Sequence, residues 1–100
     1  MAVEIQVRIT AQLHLDQIYE WYERARPGLG DRFNRLLKRT VDNISIMPLA
    51  YARYRGSVRR AKIKKFPYSV YFEYPGGGIV FIVAVFHNSR GSAALDDCIP

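Results

Sequence analysis

The second half of the chain constrains the fold most, because alternating segments there lead into an unbroken apolar one. Residues 58–65 and 68–74 alternate with a period of two, which indicates strands with one buried face. Residues 79–87 are apolar on both faces and are therefore predicted to form an interior strand. A Phe-Pro pair and a Pro-Gly-Gly-Gly sequence separate the segments, so we predict an antiparallel meander of three strands.

The first strand of this meander and the residues just before it carry a concentration of positive charge. Seven basic residues and no acid lie in residues 53–65, whereas the whole chain has a net charge of +6. They are Arg53, Arg55, Arg59, Arg60, Lys62, Lys64 and Lys65. Such a cluster predicts a binding surface for nucleic acid or an acidic protein. The alternative is that the charges only keep an edge strand soluble and unpaired.

The N-terminal half predicts one strand followed by two helices. Apolar residues at every second position of residues 3–9 indicate a strand with one buried face, and Thr10 is placed to cap the next helix. Apolar residues at helical spacing predict one helix that ends near Ala25 and a second that runs from about residue 31 to Pro48, with a Pro-Gly break between them. One side of the first helix is predicted to face solvent through Asp16, Glu20 and Glu23.

These elements predict an α+β fold of the order β-α-α-β-β-β, in which an antiparallel helix hairpin packs on a mainly antiparallel four-stranded sheet. The N-terminal strand is expected beside the interior strand, with the basic strand, residues 58–65, at the opposite edge. Residues 49–57 are expected to be a linking loop. A basic edge remains available to a partner's strand. The length of 100 residues predicts a single domain, residues 1–100.

Several kinds of site are not expected. Cys98 is the only cysteine, which excludes an internal disulfide and a cysteine-based zinc cluster. His14 and His87 have no acids at ligand spacing and no phosphate-binding glycine loop is present, so no metal or cofactor is predicted. Trp21 and the tyrosines are assigned to packing rather than to base stacking. The longest apolar run, residues 79–86, is too short to span a bilayer, and we expect a cytoplasmic protein without membrane contact.

Four stretches, taken in order, have the pattern of a known family. They are PGLGDRF at 27–33, the Pro48 that follows the second helix, VRRAKIKKFPYSVYF at 58–72 and IVFIVAVFHNSR at 79–90. In these stretches, and in the order of its elements, the chain resembles the ParE branch of the ParE/RelE toxin superfamily of bacterial type II toxin–antitoxin modules. It departs from the family after Arg90, where an Asp-Pro pair and a closing stretch rich in Trp and Arg give way to the acidic GSAALDDCIP.

The resemblance implies the toxin of a type II toxin–antitoxin (plasmid stabilisation) module, with a cognate antitoxin protein as partner. ParE-like members inhibit DNA gyrase by binding, and the seven basic residues would then contact the target or the antitoxin. One alternative is a RelE-like endoribonuclease that cuts mRNA on the ribosome. That chemistry needs an acid or base and positive charge, for which His87 and Arg90 are candidates, although His87 also fits a structural role. Another alternative, suggested by the altered tail, is a degenerate non-toxic copy that still binds antitoxin.

Overall fold

The computed structural model describes residues 2–90 and 94–95, and within them two α-helices pack on one sheet. The elements in chain order are β1 (Glu4–Val7), α1 (Ile9–Ala25), α2 (Leu29–Ile46), a short 3₁₀ helix (Pro48–Ala50), β2 (Arg53–Arg55), β3 (Val58–Lys62), β4 (Tyr68–Glu73) and β5 (Ile79–His87). Cys98 and the acidic tail after residue 95 lie outside the described residues.

Five strands form one mixed sheet in the order β1-β5-β4-β3-β2. β1 pairs with β5 in parallel, from Glu4 opposite Ile79 to Val7 opposite Ile82, and the other pairs are antiparallel. The predicted α+β class and the relative order of the four predicted strands are confirmed. β5 has a neighbour on each side and side chains buried on both faces, which accounts for its apolar sequence.

The expectation that residues 49–57 form only a loop is wrong, because this segment contains the fifth strand. β2 pairs with β3, with Arg53 opposite Arg59, and the register between them is irregular. Gly56, with φ of 54°, lies in the tight turn that joins the two strands. The basic strand β3 is therefore not the edge of the sheet. The edge is the three-residue β2, which is itself basic and too short to show an alternating pattern.

The first strand is shorter than its alternation predicted. The backbone N–H of Arg8 donates to the carbonyl of Ile82 at 2.9 Å, and the chain then enters α1 with Arg8 as the N-cap residue. Ile9 is consequently helical and is 82% exposed instead of buried. The prediction for Thr10 is also wrong, since Thr10 lies inside the first turn and the described residues form no side-chain cap at this end.

The main core lies between the helix pair and the sheet. Its buried side chains are Ala11, Ile18, Phe33, Ile44, Ala61, Ile63, Val70, Phe72, Val80, Ile82 and Val85. Aromatic rings close one end, where the centroid of Phe33 lies 5.2 Å from Phe66 and 5.7 Å from Tyr22. Burying each such side chain contributes about 1.5–3 kcal/mol, so this cluster holds the hairpin against the sheet. Neither helix in the described part of the chain is long and apolar enough to cross a membrane.

Glu23 joins the two helices, although its position on α1 predicted a solvated side chain. Its carboxylate accepts hydrogen bonds from the backbone N–H of Gly28 at 3.1 Å and of Gly30 at 2.9 Å. A carboxylate at a helix N-terminus satisfies free donors and interacts favourably with the helix dipole. Gly30 permits this approach, because a Cβ there would lie 2.7 Å from the Glu23 Cγ. Asp16 and Glu20 are exposed, as predicted.

We expect Glu23→Ala to lower the free energy of unfolding by about 1 kcal/mol, because α2 loses its cap, which corresponds to a fall of about 4–8 °C in Tm. Thermal and urea unfolding followed by circular dichroism would measure this change. Glu20→Ala is the matched control, since Glu20 makes only an exposed ion pair with Arg24 at 3.5 Å. That control should stay within about 0.5 kcal/mol of the parent. Equal losses in the two variants would show that Glu23 is not a cap.

Candidate functional site

Neither α1 nor α2 covers one side of the sheet, which carries a small second core that includes Leu95 from the helical residues 94–95. We call the helix-free face the sheet surface formed by Tyr54, Arg60, Lys62, Tyr71 and Phe86. The alternation of β3 places Arg60 and Lys62 on this face, because Ala61 between them is buried in the main core. Tyr71 and Phe86 are buried here in the second cluster, and Tyr54 packs against it.

Arg60 is held in place by two tyrosines on the helix-free face. Its guanidinium carbon lies 4.7 Å from the centroid of the Tyr54 ring, and Tyr71 lies directly opposite Arg60 on β4. The two tyrosine rings pack edge to face, with centroids 5.2 Å apart. Burial raises the pKa of the Tyr71 hydroxyl, and the neighbouring Arg60 guanidinium opposes that rise. The guanidinium is therefore oriented before any partner arrives, which reduces the entropy lost on binding.

The seven basic residues predicted as a binding cluster lie in three places. Arg60 and Lys62 belong to the helix-free face. Arg59 points to the other side, where its Nη1 donates to the carbonyl of Tyr51 at 2.6 Å and so secures the segment before β2. The remaining four lie on the edge strand or in the turn after β3, namely Arg53, Arg55, Lys64 and Lys65. The seven residues therefore lie along one margin of the sheet, and Arg59 is the one whose side chain points to the other side.

Within residues 2–90 and 94–95, no acid forms an ion pair with a basic side chain of β3. In residues 2–90 and 94–95 the ion pairs are Arg24 with Glu20 and Lys38 with Asp42, and both lie within helices. The acid on β4, Glu73, instead accepts a hydrogen bond from the Ser57 hydroxyl at 2.7 Å. The positive charge of β3 therefore remains available to a partner.

A β-bulge decides which side of the sheet His87 occupies. The pairing of β4 with β5 skips Val83. Ile82 before it and Val85 after it both lie in the main core, so the alternation of β5 shifts by one residue. His87 consequently faces the helices, and its ring packs edge to face against Tyr68 at 5.3 Å between centroids. The structure does not bring His87 together with Arg60 and Lys62, the cationic side chains of the helix-free face.

A pocket of about 250 Å³ opens between α1 and the end of β5. It is lined by His14, Gln17, Ile18, Trp21, Tyr68, Val85, Phe86, His87 and Arg90. His87 and Arg90, the two candidates for RNA cleavage, meet in this pocket. His14 and Trp21 were not predicted to belong to a site, because no local pattern shows that α1 lies beside the end of β5. The described residues contain no group of three His, Cys, Asp or Glu side chains that could hold a metal ion.

His14 is the most perturbed group of the pocket. Its Nδ1 accepts a hydrogen bond from the backbone N–H of Val85 at 3.3 Å, and its ring lies 4.8 Å from that of Phe86. Burial lowers the pKa of His14, and the positive charge of Arg90 lowers it further. The ring is therefore neutral near pH 7, with its proton on Nε2 because Nδ1 is the acceptor.

The fold and the comparisons together define the class of protein. The chain is similar to a chain in the solved structure of the chromosomal ParDE TA system from P. aeruginosa, with a TM-score of 0.74 and 18% sequence identity. The similarity covers 86% of this chain and 96% of that chain, so the two share a fold. The family model described as ParE toxin of type II toxin-antitoxin system, parDE, matches residues 5–91. The chain therefore belongs to the ParE toxin family. No significant match was found among proteins with curated descriptions.

We expect NMR titration to give His14 a pKa below its ordinary value of 6.5. The unfolded chain then binds a proton more readily than the folded one. The contribution of His14 to stability is complete above pH 6.5 and is lost as the pH falls through the folded pKa. His14→Gln should flatten this part of the stability profile, whereas the control His87→Gln should retain it. A His14 titration at or above 6.5 would contradict the arrangement.

Proposed function

We propose that this ParE-family toxin acts by binding a macromolecular target through the helix-free face, and that a cognate antitoxin silences it. The observation that carries the proposal is the oriented guanidinium of Arg60, held by Tyr54 and Tyr71 beside the exposed Lys62. Arginine framed by aromatic side chains is typical of the residues that dominate binding energy at protein interfaces.

DNA gyrase is the target that we propose, because ParE-like toxins are known to inhibit this enzyme and the chain belongs to their family. The positive charges of Arg53, Lys62 and Lys64 at the margin of the sheet would attract an acidic surface or bound DNA over a long range. Such attraction weakens as salt increases, so binding should show a clear salt dependence. The direct experiment is an assay of gyrase supercoiling with the purified protein, with transcript cleavage measured in parallel.

The proposed antitoxin contact covers the sheet margin and α1. β2 is the outermost described strand at this margin of the sheet, and α1 exposes the apolar side chains of Ile9, Leu13 and Trp21 on its surface. A flexible antitoxin segment that combines acidic and apolar residues would match both features. Within this proposal the two proteins form a plasmid stabilisation module, in which loss of the antitoxin releases the toxin.

An RNA-cleaving activity is the second candidate, because His87 and Arg90 line one pocket. Cleavage through a 2′-hydroxyl also needs positive charge around the pentavalent phosphate. Arg60 and Lys62, which would supply most of it, lie on the other side of the sheet from His87. This separation supports binding over catalysis. A protein that folds but leaves growth unaffected would instead favour the degenerate, antitoxin-binding copy.

Expression of the protein alone should arrest bacterial growth, and Arg60→Ala and Lys62→Ala should each relieve the arrest. We expect each substitution to weaken target binding by about tenfold, since a charged contact at the interface is lost. Growth curves and supercoiling assays would measure the effect. Arg35→Ala is the matched control, because it removes the same charge from an exposed position on α2. Full arrest by the Arg60→Ala, Lys62→Ala double variant would argue against the helix-free face.

The intact protein should leave transcripts uncut in a translating extract, and His87→Ala should arrest growth as strongly as the parent. The physical reason is that Arg60 and Lys62 lie on the other side of the sheet from His87, which leaves a proposed cleavage site with Arg90 but without these two cations. Primer extension on a defined message would reveal any cut. Cleavage that disappears in a folded His87→Ala variant would replace the binding proposal with the nuclease.

A further inference from the structure

The pocket beside α1 exists because β1 ends before β5 does. β1 pairs with β5 only as far as Val7 opposite Ile82, so the last residues of β5 have no strand on that side. The N–H of Val85 would be left without a strand partner there, and His14 of α1 accepts its hydrogen bond instead. The result is a concave site at a sheet margin, with one wall from α1 and the other from β5 and the turn after it.

Both histidines of the pocket are anchored in the same manner. The Nδ1 of His14 accepts the N–H of Val85, and the Nδ1 of His87 accepts the N–H of Ser89 at 3.1 Å. The Ser89 hydroxyl also lies 2.8 Å from the His87 Nδ1. With Nδ1 used as an acceptor, each neutral ring carries its proton on Nε2. The backbone thus fixes two imidazoles as N–H donors at one site, without requiring either to be charged.

The pocket is positive and its described lining contains no carboxylate. Its titratable and charged groups are His14, Tyr68, His87 and Arg90, contributed by α1, β4, β5 and the turn that follows. The guanidinium of Arg90 lies 5.8 Å from the centroid of Phe86, whose ring packs in turn on His14. The lowered pKa of His14 is consistent with a positive charge that no acid of the lining offsets.

An aromatic side chain stands at the rim. Trp21 is the only tryptophan of the chain, lines the pocket and is 68% exposed, which is unusual for a residue that so often packs in cores. An indole in this position offers a flat apolar surface beside the polar donors. Gln17, one turn before it on α1, adds an amide to the same wall.

We propose that this pocket binds a phosphoryl group that carries a nucleobase, either a free mononucleotide or the 5′-phosphate end of a single strand. The guanidinium and the two Nε2–H donors suit the three terminal oxygens of a phosphate monoester, and Trp21 suits stacking by the base. A volume of about 250 Å³ lies just below the usual range for ligand sites, so we expect the pocket to enclose no more than one nucleotide unit. The site shares Phe86 with the proposed target-binding face but contains neither Arg60 nor Lys62 of that face.

The test uses the purified full chain and the fluorescence of its single tryptophan. AMP should quench or shift the Trp21 emission with saturation, whereas adenosine should not. Inorganic phosphate should compete with AMP, but should bind more weakly because it lacks the base. A 5′-phosphorylated trinucleotide and its 5′-hydroxyl counterpart distinguish the two sources: tighter binding of the phosphorylated strand than of AMP assigns the site to strand ends, and equal binding assigns it to mononucleotides.

Variants connect the signal to the pocket. Arg90→Gln and His87→Gln should each weaken AMP binding by about tenfold or more, while circular dichroism shows an unchanged fold. Arg60→Ala should leave AMP binding unchanged and weaken target binding by about tenfold, so a failure of one proposal can be told from a failure of the other. Absence of saturable binding of AMP and phosphate at millimolar concentration would overturn the phosphoryl site. AMP binding no tighter than phosphate binding would overturn the role of Trp21, and equal loss in Arg60→Ala would show non-specific attraction.

Discussion

The structure depends on how the backbone hydrogen bonds of β5 are satisfied along both of its edges while both of its faces are buried. β4 pairs with it along one edge, but β1 covers only the first part of the other, up to Ile82. The gap is closed by a side chain, since His14 accepts the N–H of Val85. This requirement brings α1 against the end of the sheet. It also creates the concave site in which the polar groups of three elements meet, so that the candidate ligand pocket is a consequence of completing the sheet.

The bulge at Val83 distributes the chemistry of the protein between two surfaces. The bulge shifts the alternation of β5 by one residue, so the side chains that face the helices after it are those that would otherwise face the opposite side. Phe86 is therefore delivered to the helix-free face, where it supports Tyr71, and His87 is delivered to the helix side. The proposed target-binding face and the proposed phosphoryl pocket thus lie largely on opposite sides of one strand, and they meet at Phe86 and Arg90 near the margin.

The periodicity of apolar residues was sufficient to predict the elements whose apolar pattern is long or covers both faces. The apolar stripe of α2 and the two-sided burial of β5 predicted a hairpin on a sheet with the right neighbours. Features that rest on very few residues could not be predicted. β2 has only three residues, and a bulge adds one residue to a strand without changing its composition. The pocket rests on a contact between positions 71 residues apart, His14 and Val85, for which no local signal exists. Glu23 was misassigned because helical position alone does not show a neighbouring helix N-terminus.

The central place of β5 also governs when the protein can assemble during synthesis. β1 and the meander of β2, β3 and β4 are connected in the sheet only through β5, which is the last of the described strands in chain order. The hairpin of α1 and α2 has local contacts and can form early, whereas pairing of Glu4 with Ile79 must await almost the entire chain. A nascent chain therefore cannot complete this sheet before β5 leaves the ribosome. Products truncated before β5 accordingly lack the strand that joins β1 to β4.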